Sequence, residues 1–206
     1  MNFLSALAVA MAAVSVAAGH SIAADMASPR ANPSSNWDGA YVGGHLGVGA
    51  YHTVSEPGGD SLDLMGPIVG GQVGYNFHLT NNVVLGAQLD GDWDDITNAA
   101  AGGQTIEWSS AVIAKLGLDL GPVLPYVLGG VAVSGQHYFH FVPPLDERHV
   151  HTGWTAGAGV EGMITDSLSA FVEYRYASYE QQTYTVGPFN IGGSEHSVRT
   201  GLNYHF

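Results

Sequence analysis

The chain contains no cysteine. That excludes a disulfide scaffold, an iron–sulfur or cysteine–zinc site, a thiol nucleophile and a lipid-modified N-terminal cysteine. Positive charge is nearly as scarce: 5 Lys and Arg stand against 18 Asp and Glu in 206 residues, a formal charge of -13. A general nucleic-acid binder needs a basic footprint, so that class of function is excluded too. Charge of both signs together reaches 11%, where a soluble globular chain averages about 25%. In its place stand 46% hydrophobic residues, 29 glycines and 10 tyrosines. A surface so poor in charge suits a medium other than water.

The length fits one domain, or one domain plus a leader. Apolar residues run from Phe3 to Ala18, and small residues then lead to Ala23 and Ala24, where a signal peptidase would cut. A transmembrane helix takes about 18 or more apolar residues, and this run is short and rich in alanine rather than leucine. No Lys or Arg precedes it. The expectation is an export signal over residues 1–24, a polar linker (DMASPRANPSSN) over 25–36, and a mature domain over 37–206.

From Gly39 onward the pattern is alternation, the mark of strands with two chemically different faces. In GAYVGGHLGVGAY, Ala40, Val42, Leu46 and Val48 share one phase, while Tyr41, His45 and several glycines share the other. In the final SEHSVRTGLNYHF, Val198, Leu202, Tyr204 and Phe206 alternate with Glu195, Ser197, Arg199, Asn203 and His205. Six further strands are read over 66–79, 83–93, 105–120, 123–138, 152–164 and 168–179. Membrane-spanning strands need only about 9–11 residues, so each is long enough. Tight turns at Thr80-Asn81-Asn82, Gly121-Pro122 and Thr165-Asp166 alternate with long polar stretches near 52–63, 94–104, 139–151 and 180–193. Short turns on one side and long loops on the other characterise outer-membrane barrels.

Charge placement separates this reading from a soluble β-sandwich. Asp90 and Asp92 share a phase, as do Glu107, Lys115 and Asp119, Glu173 and Arg175, and Glu195 and Arg199; Glu161 falls opposite the apolar set of its strand. The other phase of every proposed strand is free of charge. A sandwich would bury that apolar phase and dress the outside with charge, and there are few basic residues here to do so. Lipid outside and charge inside is the better fit. Closure follows, because an open edge in hydrocarbon leaves backbone groups unpaired at several kcal/mol each. The expected fold is all-β, an eight-stranded antiparallel up-and-down transmembrane barrel with short periplasmic turns and four long outer loops. Expected lipid-facing sets include Val69, Val73, Tyr75 and Phe77, then Leu85, Leu89 and Trp93, then Val172, Tyr174 and Tyr176. Some of Trp37, Tyr41, Tyr75, Phe77, Trp93, Trp108, Tyr126, Trp154, Tyr204 and Phe206 should form interfacial girdles.

NWDGAYVGGHLGVGAY resembles the first strand of the small surface antigens of Gram-negative bacteria, the outer-membrane immunogenic or porin-family β-barrel proteins. The family's Trp-x-Gly-x-Tyr-x-Gly-Gly signature falls on Trp37, Gly39, Tyr41, Gly43 and Gly44. LPYVLGGVAVSG (124–135), FVEYRYASYE (171–180) and VRTGLNYHF resemble its fifth, seventh and closing strands. The resemblance implies an eight-stranded barrel in the outer membrane, with Phe206 as the terminal signal read by the barrel-assembly machinery.

The inward set offers chemistry of two kinds. Paired carboxylates serve general acid–base catalysis in some enzymes, but an eight-stranded barrel has an interior just wide enough for side chains to fill. Charges there must pair, so Asp90, Lys115, Glu161, Glu173, Arg175 and Arg199 are expected to form a structural plug. Such a plug leaves little room for a diffusion channel. The second candidate is a cluster of His137, His140, His149 and His151 in the third long stretch, a set suited to haem or a metal; some relatives in the family are reported haemin binders. A hydrolase reading of Glu195, His196 and Ser197 fails on alternation, which points neighbours to opposite faces. The acidic residues Glu56, Asp60, Asp63, Asp94, Asp95, Asp146 and Glu147 read as loop residues. The expected role is therefore non-enzymatic, in envelope structure and surface presentation, without a resident cofactor. Its expected partners are outer-membrane lipid, lipopolysaccharide and the assembly machinery. A host surface ligand, haem binding or narrow diffusion are the alternatives.

Overall fold

The computed structural model describes residues 37–56, 62–97, 104–141, 144–183 and 190–206. The expected export signal and linker lie outside these residues. Eight strands make up the domain: β1 (Gly39–Glu56), β2 (Leu62–Thr80), β3 (Val83–Thr97), β4 (Gln104–Leu118), β5 (Val123–Phe141), β6 (Pro144–Met163), β7 (Leu168–Thr183) and β8 (Asn190–His205). Each pairs antiparallel with the next, and β8 returns to β1, giving a closed barrel. The closing seam runs from Tyr41–His205 to Glu56–Asn190, and the Phe206 amide donates to the Ala40 carbonyl at 3.0 Å.

The strands run farther out than the sequence reading placed them. Pairing of β5 with β6 continues to Phe141–Pro144, so most of the stretch read as a third loop is a hairpin. The reason is solvent. Above the membrane both faces of a strand meet water, so both phases accept polar residues and alternation fades while the hydrogen-bond ladder persists.

Within the membrane the two phases behave as expected. Val69, Val73, Tyr75 and Phe77 of β2, Leu89 and Trp93 of β3, and Val172 and Tyr174 of β7 all point outward. Leu85 and Tyr176 are half-covered by neighbours on the same face. The aromatics split by direction. Tyr75, Phe77, Tyr204 and Phe206 form an inner exterior row, and Trp93, Trp108 and Trp154 an outer one. Trp37, Tyr41 and Tyr126 turn inward instead.

Those inward rings explain the opening signature. Trp37 is fully buried, packs with Val84 and Leu124, and donates its indole N–H to the Gly121 carbonyl across the barrel at 2.9 Å. It stoppers the end of the barrel that carries the short turns. Gly39 then turns the chain into β1 with φ +115°, a conformation that side chains resist. Tyr41 lies directly over Gly74, its register partner on β2, and Tyr126 lies over Gly159 on β6 in the same way. A side chain at Gly74 would occupy the space of the Tyr41 ring. Gly74→Val is therefore expected to lower stability by about 1–3 kcal/mol through overpacking. Gly91→Ala, at an outward position with nothing within 4 Å, should leave it unchanged. Urea titration of the detergent-folded protein, read by the gel shift between folded and boiled forms, checks the pair.

Candidate functional site

Three of the five basic side chains, Lys115, Arg175 and Arg199, are buried in the lumen. Each meets the carboxylates that strand alternation delivers from neighbouring walls. Arg175 binds Asp90 through Nη1 at 2.5 Å and Glu173 through Nε, and the Tyr126 hydroxyl donates to Glu173 at 2.9 Å. Arg199 binds Asp92 through Nη1 at 2.5 Å, and its Nη2 lies 3.9 Å from Glu195. Lys115 sits 3.8 Å from Glu161, donates to Gln88 at 3.2 Å and lies 4.3 Å above the Tyr126 ring. The sequence-predicted set of Asp90, Lys115, Glu161, Glu173, Arg175 and Arg199 is thus brought into one connected network.

The network extends through neutral polar groups, of which the sequence reading placed His45, Asn203 and His205 in the inward phase but gave none a role. Glu161 accepts from Ser169 at 2.5 Å and from Asn203 at 2.7 Å, with His205 Nε2 at 3.3 Å. Asn203 accepts from Gln72, and His45 bridges Gln72 at 2.5 Å and Asp92 at 2.6 Å. At the periplasmic mouth His78 spans Asp38 at 2.7 Å and Asp119 at 3.0 Å. The only signal for these residues was their phase, since Gln, Asn, Ser and His carry no charge to mark them.

Two carboxylates were misplaced from sequence. Asp94, read as a loop residue, is buried at 2% exposure because β3 continues past it and keeps it in phase with Asp90 and Asp92. Neither of its oxygens has a hydrogen-bond partner. Glu107, read as inward, sits at a register shift between Ile106 and Trp108 that turns it toward the rim, 3.4 Å from His137. A cavity of about 20 Å³ lies among Asp92, Ser109, Arg175, Tyr179, Glu195 and Arg199. That is room for about one water molecule.

His137 and His151, the two of the four histidines whose side chains are described, do not converge. His137 lies at the rim beside Glu107, whereas His151 is fully buried within the barrel and its Nδ1 sits 3.2 Å from the Glu180 carbonyl. They occupy opposite phases of a paired ribbon. The side chains of His140 and His149 lie outside the described residues. No group of three or more His, Asp or Glu among the described residues is arranged to hold a metal ion.

The sequence matches the model of the family described as outer membrane protein beta-barrel domain over residues 4–206. The chain belongs to that family. It is 31% identical to the 22 kDa outer membrane protein of Rhizobium leguminosarum bv. viciae over 180 residues, covering 84% of this chain and 80% of that one. It is 32% identical to the 31 kDa outer-membrane immunogenic protein of Brucella melitensis biotype 1, covering 96% of each. Among solved structures it is similar in fold to Neisserial surface protein A, with a TM-score of 0.55 at 17% identity, covering 82% of this chain and 98% of that one. The exterior is therefore the lipid-facing surface of an outer-membrane barrel, and the lumen is its interior.

In such a barrel the ion pairs are far from water, and deleting one partner of a buried pair costs about 3–5 kcal/mol. Arg199→Met leaves Asp92 and Glu195 without their cation and should lower unfolding stability by about that amount. Asp94→Asn removes a buried carboxylate repelled by Glu195 and Asp92 and should raise stability. Urea unfolding in detergent, monitored by tryptophan fluorescence, measures both. Destabilisation by Asp94→Asn would contradict the reading of Asp94 as a repelled carboxylate.

Proposed function

We propose that this chain is a sealed, non-enzymatic barrel that contributes to outer-envelope structure and presents its outer connections at the cell surface. The observation that carries the reading is the filled lumen. Trp37 covers its periplasmic end, the Arg175–Asp90 and Arg199–Asp92 ion pairs and the Asn203–Glu161 hydrogen bond cross it, and a cavity beside Asp90 and Asp92 has room for about one water molecule. A diffusion path has no support in that packing.

Catalysis has little support either. Ser169, His205 and Glu161 are within hydrogen-bond reach of one another, a constellation that resembles a hydrolase site in composition. All three are buried in the packed interior, so Ser169 serves as a donor to Glu161. Glu195 and Ser197 face the lumen while His196 faces outward. Of the histidines considered for haem or a metal, His137 and His151 face opposite sides of the β5–β6 ribbon, which weighs against that alternative.

On this reading the partners are outer-membrane lipid and lipopolysaccharide around the exterior. During biogenesis, the assembly machinery meets Phe206, which is exposed at the end of β8. Any host ligand engages the outer connections. Planar-bilayer recording of the purified, folded protein tests the sealed lumen. Silence is expected, and large reproducible conductance steps would overturn the reading.

A further inference from the structure

A closed circuit of hydrogen bonds secures Trp37 at the periplasmic mouth. The Trp37 indole donates to the Gly121 carbonyl at 2.9 Å, and the Gly121 amide donates to Asp119 Oδ1 at 2.7 Å. The second oxygen of Asp119 lies 3.0 Å from His78 Nε2, and His78 Nδ1 lies 2.7 Å from Asp38 Oδ1. Asp38 follows Trp37 in the chain, so the circuit ends where it began. It joins the segment before β1, the end of β2 and the connection between β4 and β5. The Asp119 amide, donating to the Asn82 carbonyl at 2.8 Å, holds the β2–β3 turn to the same place.

One member of this circuit changes charge near neutrality, the imidazole. Hydrogen bonds from one ring to two carboxylates need two protons, and a neutral imidazole brings one. That count holds for either tautomer and wherever along each bond the proton rests. With a single proton, a nitrogen lone pair faces a carboxylate oxygen and the circuit parts at Asp38 or at Asp119. These two are the charged groups that face His78, one from the segment before β1 and one from the end of β4, while its cross-strand partner on β3 is Val84. His78 follows Phe77 of the inner aromatic row toward the short turn, and Asp38 beside it is half exposed, so the site lies at the watery mouth. Burial of the imidazole works against its charge, but the hydrogen bonds to Asp38 and Asp119 outweigh that and raise its pKa above the ordinary value.

We propose that His78 is a proton-operated clasp on the Trp37 plug, holding it in the mouth when the imidazole is charged and letting it lift when the imidazole is neutral. A histidine whose pKa is raised by folding contributes its full stability below its unfolded value of about 6.5. It loses that contribution as pH rises through the folded value. The periplasmic seal is therefore tight in acid and loosens toward alkaline pH. The layer beneath the plug gives the motion a consequence. Trp37 stands edge-on to His205, ring centroids 5.7 Å apart, and His205 Nε2 approaches Ser169 and Glu161. Lifting the indole opens that buried polar layer to water.

The clasp rests on the reading of the lumen as sealed, and the two fail separately: bilayer conductance would sink the seal, whereas solvent exchange of the Trp37 indole hydrogen tests the clasp. That hydrogen is followed by nuclear magnetic resonance on the folded, nitrogen-15-labelled protein in detergent, its signal assigned as the one lost in Trp37→Phe. Exchange is itself base-catalysed, so wild type and His78→Phe, which keeps a ring without ring protons, are compared at each pH. At about pH 6 the variant should exchange roughly three- to fivefold faster, the scale of a partly exposed charge pair. By about pH 9 the ratio should fall to one. Asp38→Ala, which parts the circuit on the plug side, should likewise speed exchange in acid and not in alkali. Each variant must keep the folded-to-boiled gel shift, which reports the barrel independently; should His78→Phe lose it, Asp38→Ala decides. A ratio that stays constant across that pH range, the mark of a merely structural contact, or equal rates in acid would overturn the clasp.

Discussion

Hydrocarbon offers no partner to a backbone amide, and the rest of this structure follows from that constraint. A sheet in such a medium must close on itself, since each unpaired edge group costs several kcal/mol. Closure at eight strands then fixes the width of the interior, which is just large enough for side chains to fill. Alternation does the sorting: each strand sends one phase to lipid and the other to the lumen. The composition follows. An apolar exterior needs little charge, and three of the five basic residues serve as counter-ions within the lumen.

The interior solves a packing problem and an electrostatic one with the same residues. Aromatic rings lie over register-partner glycines, as Tyr41 does over Gly74, and fill the gaps between charged layers. Arg175 and Arg199 each reach two carboxylates, so few cations suffice for several anions. Glutamine, asparagine, serine and histidine side chains then complete the hydrogen bonding of those carboxylates, as around Glu161. A buried ionic network is weak evidence for stability but becomes strongly destabilising when broken. Sealing and specificity are what it supplies here.

The strands and their two faces were legible in the sequence because period two persists wherever one side meets lipid and the other does not. Beyond the membrane that asymmetry ends, so the outer halves of β5 and β6 read as loop although they pair to Phe141 and Pro144. Asp94 was lost for that reason, although it keeps the phase of Asp90 and Asp92. Trp37 was ambiguous because residue type does not say whether a ring at a strand start faces lipid or closes the mouth. Glu107 moved because a register shift is invisible to alternation. Only register shows that Tyr176 of β7 and His196 of β8 are neighbours. The ion-pair set was readable because charge marks its members, whereas phase alone placed His45, Asn203 and His205 inward and could not assign them as its hydrogen-bond partners.

The absence of cysteine makes the central claim directly measurable, since a single introduced thiol labels without background. Nitroxides placed in turn at Val69, Leu89, Val127 and Leu202, all outward in the barrel wall, would be examined by electron paramagnetic resonance in lipid vesicles. Collisions with oxygen and with a water-soluble nickel chelate give the depth of each label. The structure predicts high oxygen accessibility and exclusion of the chelate at all four positions. Ready access of the chelate to these sites, or shielding from both reagents, would contradict a wall whose apolar phase faces acyl chains.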